Sequence, residues 1–221
     1  MSGGRPLQLA ILISGRGSNM LAIARACLSG RIAAHVAVVI SDRADAAGLV
    51  RARELGLQTA TVTQPRGEPG FEAALAATLD THQPDAIALA GFMRILSGPF
   101  VARYLGRMLN IHPSLLPAYR GLHTHRRVLA AHDAEHGASV HFVTAELDGG
   151  PIVLQSKVAV EPGDTEATLA ARVQATEHII YPHALGWLAQ QRLAWRDGAA
   201  WFDGRRLDAP IVEDFRAAAC N

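Results

Sequence analysis

The chain has 221 residues, of which 49% are apolar, and a formal net charge of +1. That length suits one large domain, or one domain with a small appendage, and the near-neutral charge gives no electrostatic case for nucleic acid or a membrane surface. The two cysteines, Cys27 and Cys220, lie far apart, and the apolar run Leu9 to Ile13 is too short for a membrane span and lacks a signal-peptide pattern, so the expectation is cytoplasmic.

In chain order, Leu7 to Ile13 is a continuous apolar run that suits a strand buried on both faces. The pattern then predicts a helix over Ser18 to Leu28, a strand over Val36 to Ile40 and a helix over Ala44 to Leu55. A strand over Leu57 to Val62, a helix over Phe71 to Thr81 and a strand over Pro84 to Ala90 follow. Thr63 to Gly70, with two Pro and two Gly, is the one loose segment. Ser97 suits the cap of a short helix ending near Gly106, and Met108 to Ile111 makes a fifth strand. Strands alternating with helices imply an α/β, Rossmann-like, mainly parallel twisted sheet with helices on both faces. Ser139 to Val143 and Ile152 to Val160 follow each other without a helix, which predicts an antiparallel strand late in the sheet. A long helix from about Asp164 to Gln190 comes next, with Asp164 or Thr165 as its N-cap and a kink expected at Pro182. Asp197-Gly198 and Asp203-Gly204 mark a small C-terminal hairpin.

The fifth strand runs into Asn110-Ile111-His112-Pro113-Ser114-Leu115-Leu116-Pro117. Its prolines end the ladder, and strand alternation points Asn110 and His112 to the same side. An amide that can donate to an oxyanion and an imidazole that can move protons thus reach the carboxyl edge of the sheet together. On this stretch alone, a turn-capping Asn110 with a satisfied core His112 remains the alternative. Ser14-Gly15-Arg16-Gly17-Ser18-Asn19 lies between the first strand and first helix, where glycines and free N–H groups suit an anion. Met20 stands where a dinucleotide fingerprint needs its third Gly, and no Lys-Ser/Thr pair follows, so a phosphate monoester fits better than NAD or ATP. A tight turn that binds nothing is the alternative.

Ala90-Gly91-Phe92-Met93-Arg94-Ile95-Leu96 can line a pocket for a flat aromatic ligand, or be ordinary core with one exposed Arg94. Asp148, in Glu146-Leu147-Asp148-Gly149-Gly150-Pro151, can orient and charge His112, or simply close an Asx-turn. His123, His125, His132 and His136 lack a Cys or carboxylate cluster to complete a metal site, so no metal is expected. A solvated or lid-like loop, hinged at Gly121 and Gly137, is the better reading.

In this order, and with Gly121-Leu122-His123-Thr124-His125, these motifs resemble the phosphoribosylglycinamide formyltransferase family, folate-dependent enzymes of purine synthesis. The resemblance implies one formyltransferase domain over 1–221: a nucleotide- or phosphate-binding half to about 111, a folate-binding and catalytic half to about 190, then the hairpin and tail. It implies catalytic roles for Asn110, His112 and Asp148. It implies a substrate-phosphate cradle at Gly17, Ser18 and Asn19, with Gln174 and Glu177 holding the glycinamide substrate. It implies a folate pocket from Met93, Arg94, Ile95, Leu96, Asn110, Thr144, Ala145, Glu146, Leu147 and Asp148. The family often has an Arg near the start of the third helix that contacts the folate; by spacing Glu68 stands there, so either the loop shifts to present Arg66, two residues earlier, or that contact is missing.

The implied reaction moves the formyl group of the cosubstrate 10-formyltetrahydrofolate to the amine of 5'-phosphoribosylglycinamide. Small-molecule substrates, no nucleic acid, no membrane, no metal and a monomer or homodimer are the accompanying expectations. A methionyl-tRNA formyltransferase would share the His-Pro-Ser-Leu-Leu-Pro core but needs a further tRNA-binding domain and a basic surface. A formyltetrahydrofolate hydrolase would usually carry an added N-terminal regulatory domain. A non-enzymatic nucleotide-binding module would leave Asn110, His112 and Asp148 without a shared purpose.

Overall fold

A computed structural model describes residues 5–64 and 70–216. The first half is built from β1 (Leu7–Ile13), α1 (Ser18–Leu28), β2 (Ala34–Ser41), α2 (Ala47–Glu54), β3 (Thr59–Thr61), α3 (Phe71–His82), β4 (Ala86–Leu89), α4 (Gly98–Arg103) and β5 (Met108–His112). The second half adds α5 (Thr124–Ala131), β6 (Glu135–Phe142), β7 (Ile152–Ala159), α6 (Glu166–Ala189), β8 (Leu193–Arg196), β9 (Ala199–Phe202), β10 (Arg205–Arg206) and β11 (Ile211–Asp214).

Eight strands form the main sheet in the order β11-β7-β6-β5-β4-β1-β2-β3. All neighbours in it run parallel except at β6, which is antiparallel to both β5 and β7. Alternation in β1 explains the layering: Leu9, Ile11 and Ile13 enter one core cluster, and Ala10 and Leu12 the other. The first cluster includes buried residues of α1, α2 and α6; the second takes Phe71, Leu75 and Leu79 of α3 and Phe100 and Val101 of α4. Helices therefore cover both faces, as a sheet with apolar strands requires.

Thr165 caps α6, its side chain accepting from Thr168 N–H at 3.2 Å while the Thr168 hydroxyl accepts from Thr165 N–H at 2.9 Å. The helix runs unbroken through Pro182. Its Tyr181 is fully buried and donates its hydroxyl to the Leu109 carbonyl at 2.8 Å, with the Leu89 carbonyl at 3.1 Å. That contact ties α6 to the carboxyl end of β4 and to the start of β5.

Several expectations need correction. The stretch read as a loop between Gly121 and Gly137 contains helix α5. Gly137 is no hinge: it lies inside β6, where an added Cβ would sit 1.8 Å from the Ser156 carbonyl oxygen. His132 ends α5 in a left-handed conformation and His136 is on β6, so neither belongs to a loop that spans the segment. In the tail, β8, β9 and β10 form a small antiparallel sheet, but β11 returns to the main sheet parallel to β7. Arg66, Glu68 and Cys220 lie outside the described residues.

Candidate active site

The chain order turns back on itself between β1 and β4: β2 and β3 extend the sheet one way and β5 the other. Such a switch opens a crevice at the carboxyl edge. Here the loops after β1 and β4 are stitched together, with Ser14 N–H donating to the Gly91 carbonyl at 3.2 Å and Met93 N–H to the Ser14 hydroxyl at 2.8 Å.

A cleft of about 1010 Å³ opens at this edge, and Asn110, His112 and Asp148 all line it. Met93 to Leu96 and Thr144 to Leu147 line it too. Its rim leaves large apolar side chains open to solvent: Met93 is 54% exposed, Ile95 78%, Leu122 70% and Leu147 52%. Apolar surface gathered around a few convergent polar groups is what a site for a flat organic ligand needs.

Asp148 is brought to His112 by the turn that follows β6. An added Cβ at Gly150 would lie 1.9 Å from the Phe142 carbonyl oxygen, so only glycine lets this turn close against the end of the strand. Asp148 has φ of 50°. Its Oδ2 accepts the Gly121 N–H at 2.9 Å and lies 3.4 Å from His112 Nδ1. The other ring nitrogen, Nε2, donates to the Tyr119 carbonyl at 3.0 Å. An oxygen thus faces each ring nitrogen. Delivering Nε2–H to a substrate oxygen requires exchanging the Tyr119 carbonyl for it.

His141 belongs to this constellation, and the sequence reading did not single it out. It stands opposite Asn110 across the β5–β6 pair. The Asn110 amide donates to His141 Nε2 at 3.1 Å, which leaves His141 Nδ1–H to donate to the Phe142 carbonyl at 2.9 Å. That network assigns a neutral ring. Burial acts the same way, holding the His141 pKa below its usual value. Its 3.8 Å approach to Asp148 is therefore not an ion pair. His141 fixes the amide plane of Asn110 and leaves the second amide hydrogen for the cleft.

At the first turn, Gly17 is the N-cap of α1 in a left-handed conformation, φ 72°. An added Cβ there would meet the Cα of Gly48, in the first turn of α2, at 2.9 Å. No acidic side chain occupies the first turn of α1, so the N–H groups of that end meet no built-in anion. Asn19 donates to the Glu177 carboxylate at 2.7 Å, which joins this turn to α6. Burial raises the Glu177 pKa, opposed by the Asn19 bond. The Asn19 side-chain amide oxygen is buried without a partner among the described residues. Gln174, half-buried, precedes Glu177 on α6.

Two sequence-predicted residues are placed differently from the others. Arg94 borders the cleft, but its guanidinium is held by Asp42 at 3.1 Å and by the Gln64 carbonyl at 2.5 Å. Glu146 pairs with Arg120. Of the four histidines in the 123–136 segment, His125 and His136 contact each other, Nδ1 to Nε2, at 3.0 Å. Among the described residues no group of three or more His, Cys, Asp or Glu could hold a metal ion, and no helix is long and apolar enough to cross a membrane.

A mainly parallel sheet with an amide, an imidazole and a carboxylate on an apolar cleft at its switch point defines a class of group-transfer site, and residues 7–185 match the formyl transferase family. The chain is 52% identical over 203 residues to the phosphoribosylglycinamide formyltransferase of Escherichia coli K12, covering 91% of this chain and 96% of that one. It is 45% identical to the enzyme of that name from Haemophilus influenzae, covering 90% and 95%. The solved phosphoribosylglycinamide formyltransferase of Coxiella burnetii, in complex with CHES, superimposes with a TM-score of 0.89 at 46% identity, covering 94% of this chain and 99% of that one. The chain belongs to the phosphoribosylglycinamide formyltransferase family.

Proposed function

We propose that this protein transfers the formyl group of 10-formyltetrahydrofolate to the amine of 5'-phosphoribosylglycinamide, giving formylglycinamide ribonucleotide and tetrahydrofolate in purine biosynthesis. The observation that carries this reading is the convergence of Asn110, His112 and Asp148 on one apolar cleft. The phosphate docks at the N–H groups of Gly17, Ser18 and Asn19, and Gln174 and Glu177 hold the rest of the glycinamide substrate. The folate lies against Met93 to Leu96 and Thr144 to Asp148, with Arg66 as a further contact.

The substrate amine attacks the formyl carbon and forms a tetrahedral intermediate with no covalent enzyme adduct. The Asn110 amide and the charged His112 ring stabilise its oxyanion. Asp148 holds the ring charged and, through water, helps carry the proton from the attacking amine to the leaving N10 as the carbon–N10 bond breaks. Holding both substrates in register contributes about 7–11 kcal/mol to lowering the barrier. The enzyme works as one formyltransferase domain over 1–221, in the cytoplasm, as a monomer or homodimer, without a metal, nucleic acid or membrane.

The test is tetrahydrofolate formation from 10-formyltetrahydrofolate with and without the glycinamide ribonucleotide. Formation only when both are present supports the reading. Equal formation without the acceptor would make the protein a hydrolase, and no formation in either arm would remove the enzymatic reading.

A further inference from the structure

Gly91 to Leu96 form one wall of the cleft, and side-chain exposure alternates along it. Phe92 and Leu96 are buried and the Arg94 side chain is 12% exposed, whereas Met93 and Ile95 stand open on the rim. With Arg94 turned inward, its two neighbours are the ones left open. Its guanidinium sits 4.1 Å from the ring centre of Phe71, which stacks on Phe92 with centres 6.4 Å apart. Its only ion-pair partner among the described residues is Asp42, with a side chain 6% exposed. Asp42 follows the end of β2, three strands from β5, and does not line the cleft.

We propose that Asp42 is a positioning residue for the folate wall: by holding Arg94 inward it keeps Met93 and Ile95 as the wall's open apolar side chains. A guanidinium removed from water needs a counter-charge, and losing one partner of such a pair leaves the other strongly penalised. The cheapest relief for an unpaired Arg94 is to swing toward solvent through the cleft. That reverses the alternation and withdraws the two apolar side chains. One further detail favours placement over simple stabilisation. The second carboxylate oxygen of Asp42 is buried with no partner among the described residues, a cost that a residue kept only for stability would not carry.

This inference rests on the reading that the wall takes the folate. The test is steady-state kinetics and thermal melting of Asp42→Asn, with Arg94→Lys as a second variant that keeps the charge but loses the planar fork. Expected is a KM for 10-formyltetrahydrofolate raised by about tenfold in Asp42→Asn, with kcat and the acceptor KM within about twofold of wild type, the signature of lost folate binding alone. Arg94→Lys should raise the same KM by a smaller factor. A folate KM within about twofold of wild type, or both KM values rising together, would overturn the proposal; so would two variants that both fail to fold, which would mark the pair as purely structural. If the wild type forms no tetrahydrofolate from the two substrates, the functional reading falls instead. The positioning claim is then decided by the crystal structure of Asp42→Asn: Arg94 turned into the cleft supports it, and Arg94 unmoved overturns it.

Discussion

His112 Nδ1 lies 3.4 Å from Asp148 Oδ2, and both side chains are buried. The Gly121 N–H holds the same carboxylate oxygen, so the pair is positioned from the loop after β5 as well as from the turn after β6. The ring has its Nε2–H on a carbonyl and its Nδ1 facing a carboxylate, and the proposed mechanism uses it to stabilise a developing oxyanion.

In the proposed mechanism Asn110 supplies the uncharged part of that stabilisation. Replacing it with Ala removes the donor and leaves His141 without its amide partner. kcat should fall by ~10²–10³ with both KM values nearly unchanged, because the lost bond forms mainly in the transition state. Steady-state kinetics with each substrate varied in turn checks this; a rise in KM with kcat intact would make Asn110 a ground-state binding residue.

Gly17→Val tests the phosphate cradle. The new side chain must occupy a left-handed position and meets the backbone of Gly48 at once, so the turn has to move. The acceptor KM should rise by about tenfold or more while the folate KM stays near wild type. Equal effects on both would reduce the turn to a structural role.

His136 sets a pH dependence of stability. Burial, and secondarily the neighbouring His125, lower its pKa to about 4. The unfolded chain binds a proton there near pH 6.5, while the folded chain does so only near 4. Stability conferred by the neutral buried ring is complete above pH 6.5, falls as the pH drops through that window, and levels off below it. The loss is about 3 kcal/mol for this one group. Urea melts of wild type and His136→Gln at pH 7 and pH 4.5 measure it: the variant should lose less stability over that range, and an identical loss would assign the acid sensitivity elsewhere.

Much of the site was legible in the sequence because its rules are local. Strand alternation alone places Asn110 and His112 on one side, and both line the cleft. The glycine-flanked turn after β1 announces its helix, and α1 spans the stretch its pattern predicts, Ser18–Leu28. His141 was not legible, since its link to Asn110 is a register between antiparallel strands that no local pattern encodes. Helix α5 was hidden for a different reason. It is only eight residues long, about two turns, too short for its apolar period to repeat. The inward turn of Arg94 depends on Asp42 and Gln64, both distant in sequence. β11 shows the alternation of an edge strand, yet its partner β7 lies far back along the chain, on the other side of α6.

The most direct measurement of the central claim is kcat for Asp148→Asn, His112→Ala and the double variant in one assay. Asp148→Asn keeps the shape at 3.4 Å but removes the charge that favours the imidazolium. Each single change should lower kcat by at least ~10²-fold with little change in either KM. The double variant should cost far less than the product of the two losses, because the pair acts as one unit. Losses that multiply strictly, or a double variant with near-wild-type kcat, would contradict a shared role for His112 and Asp148.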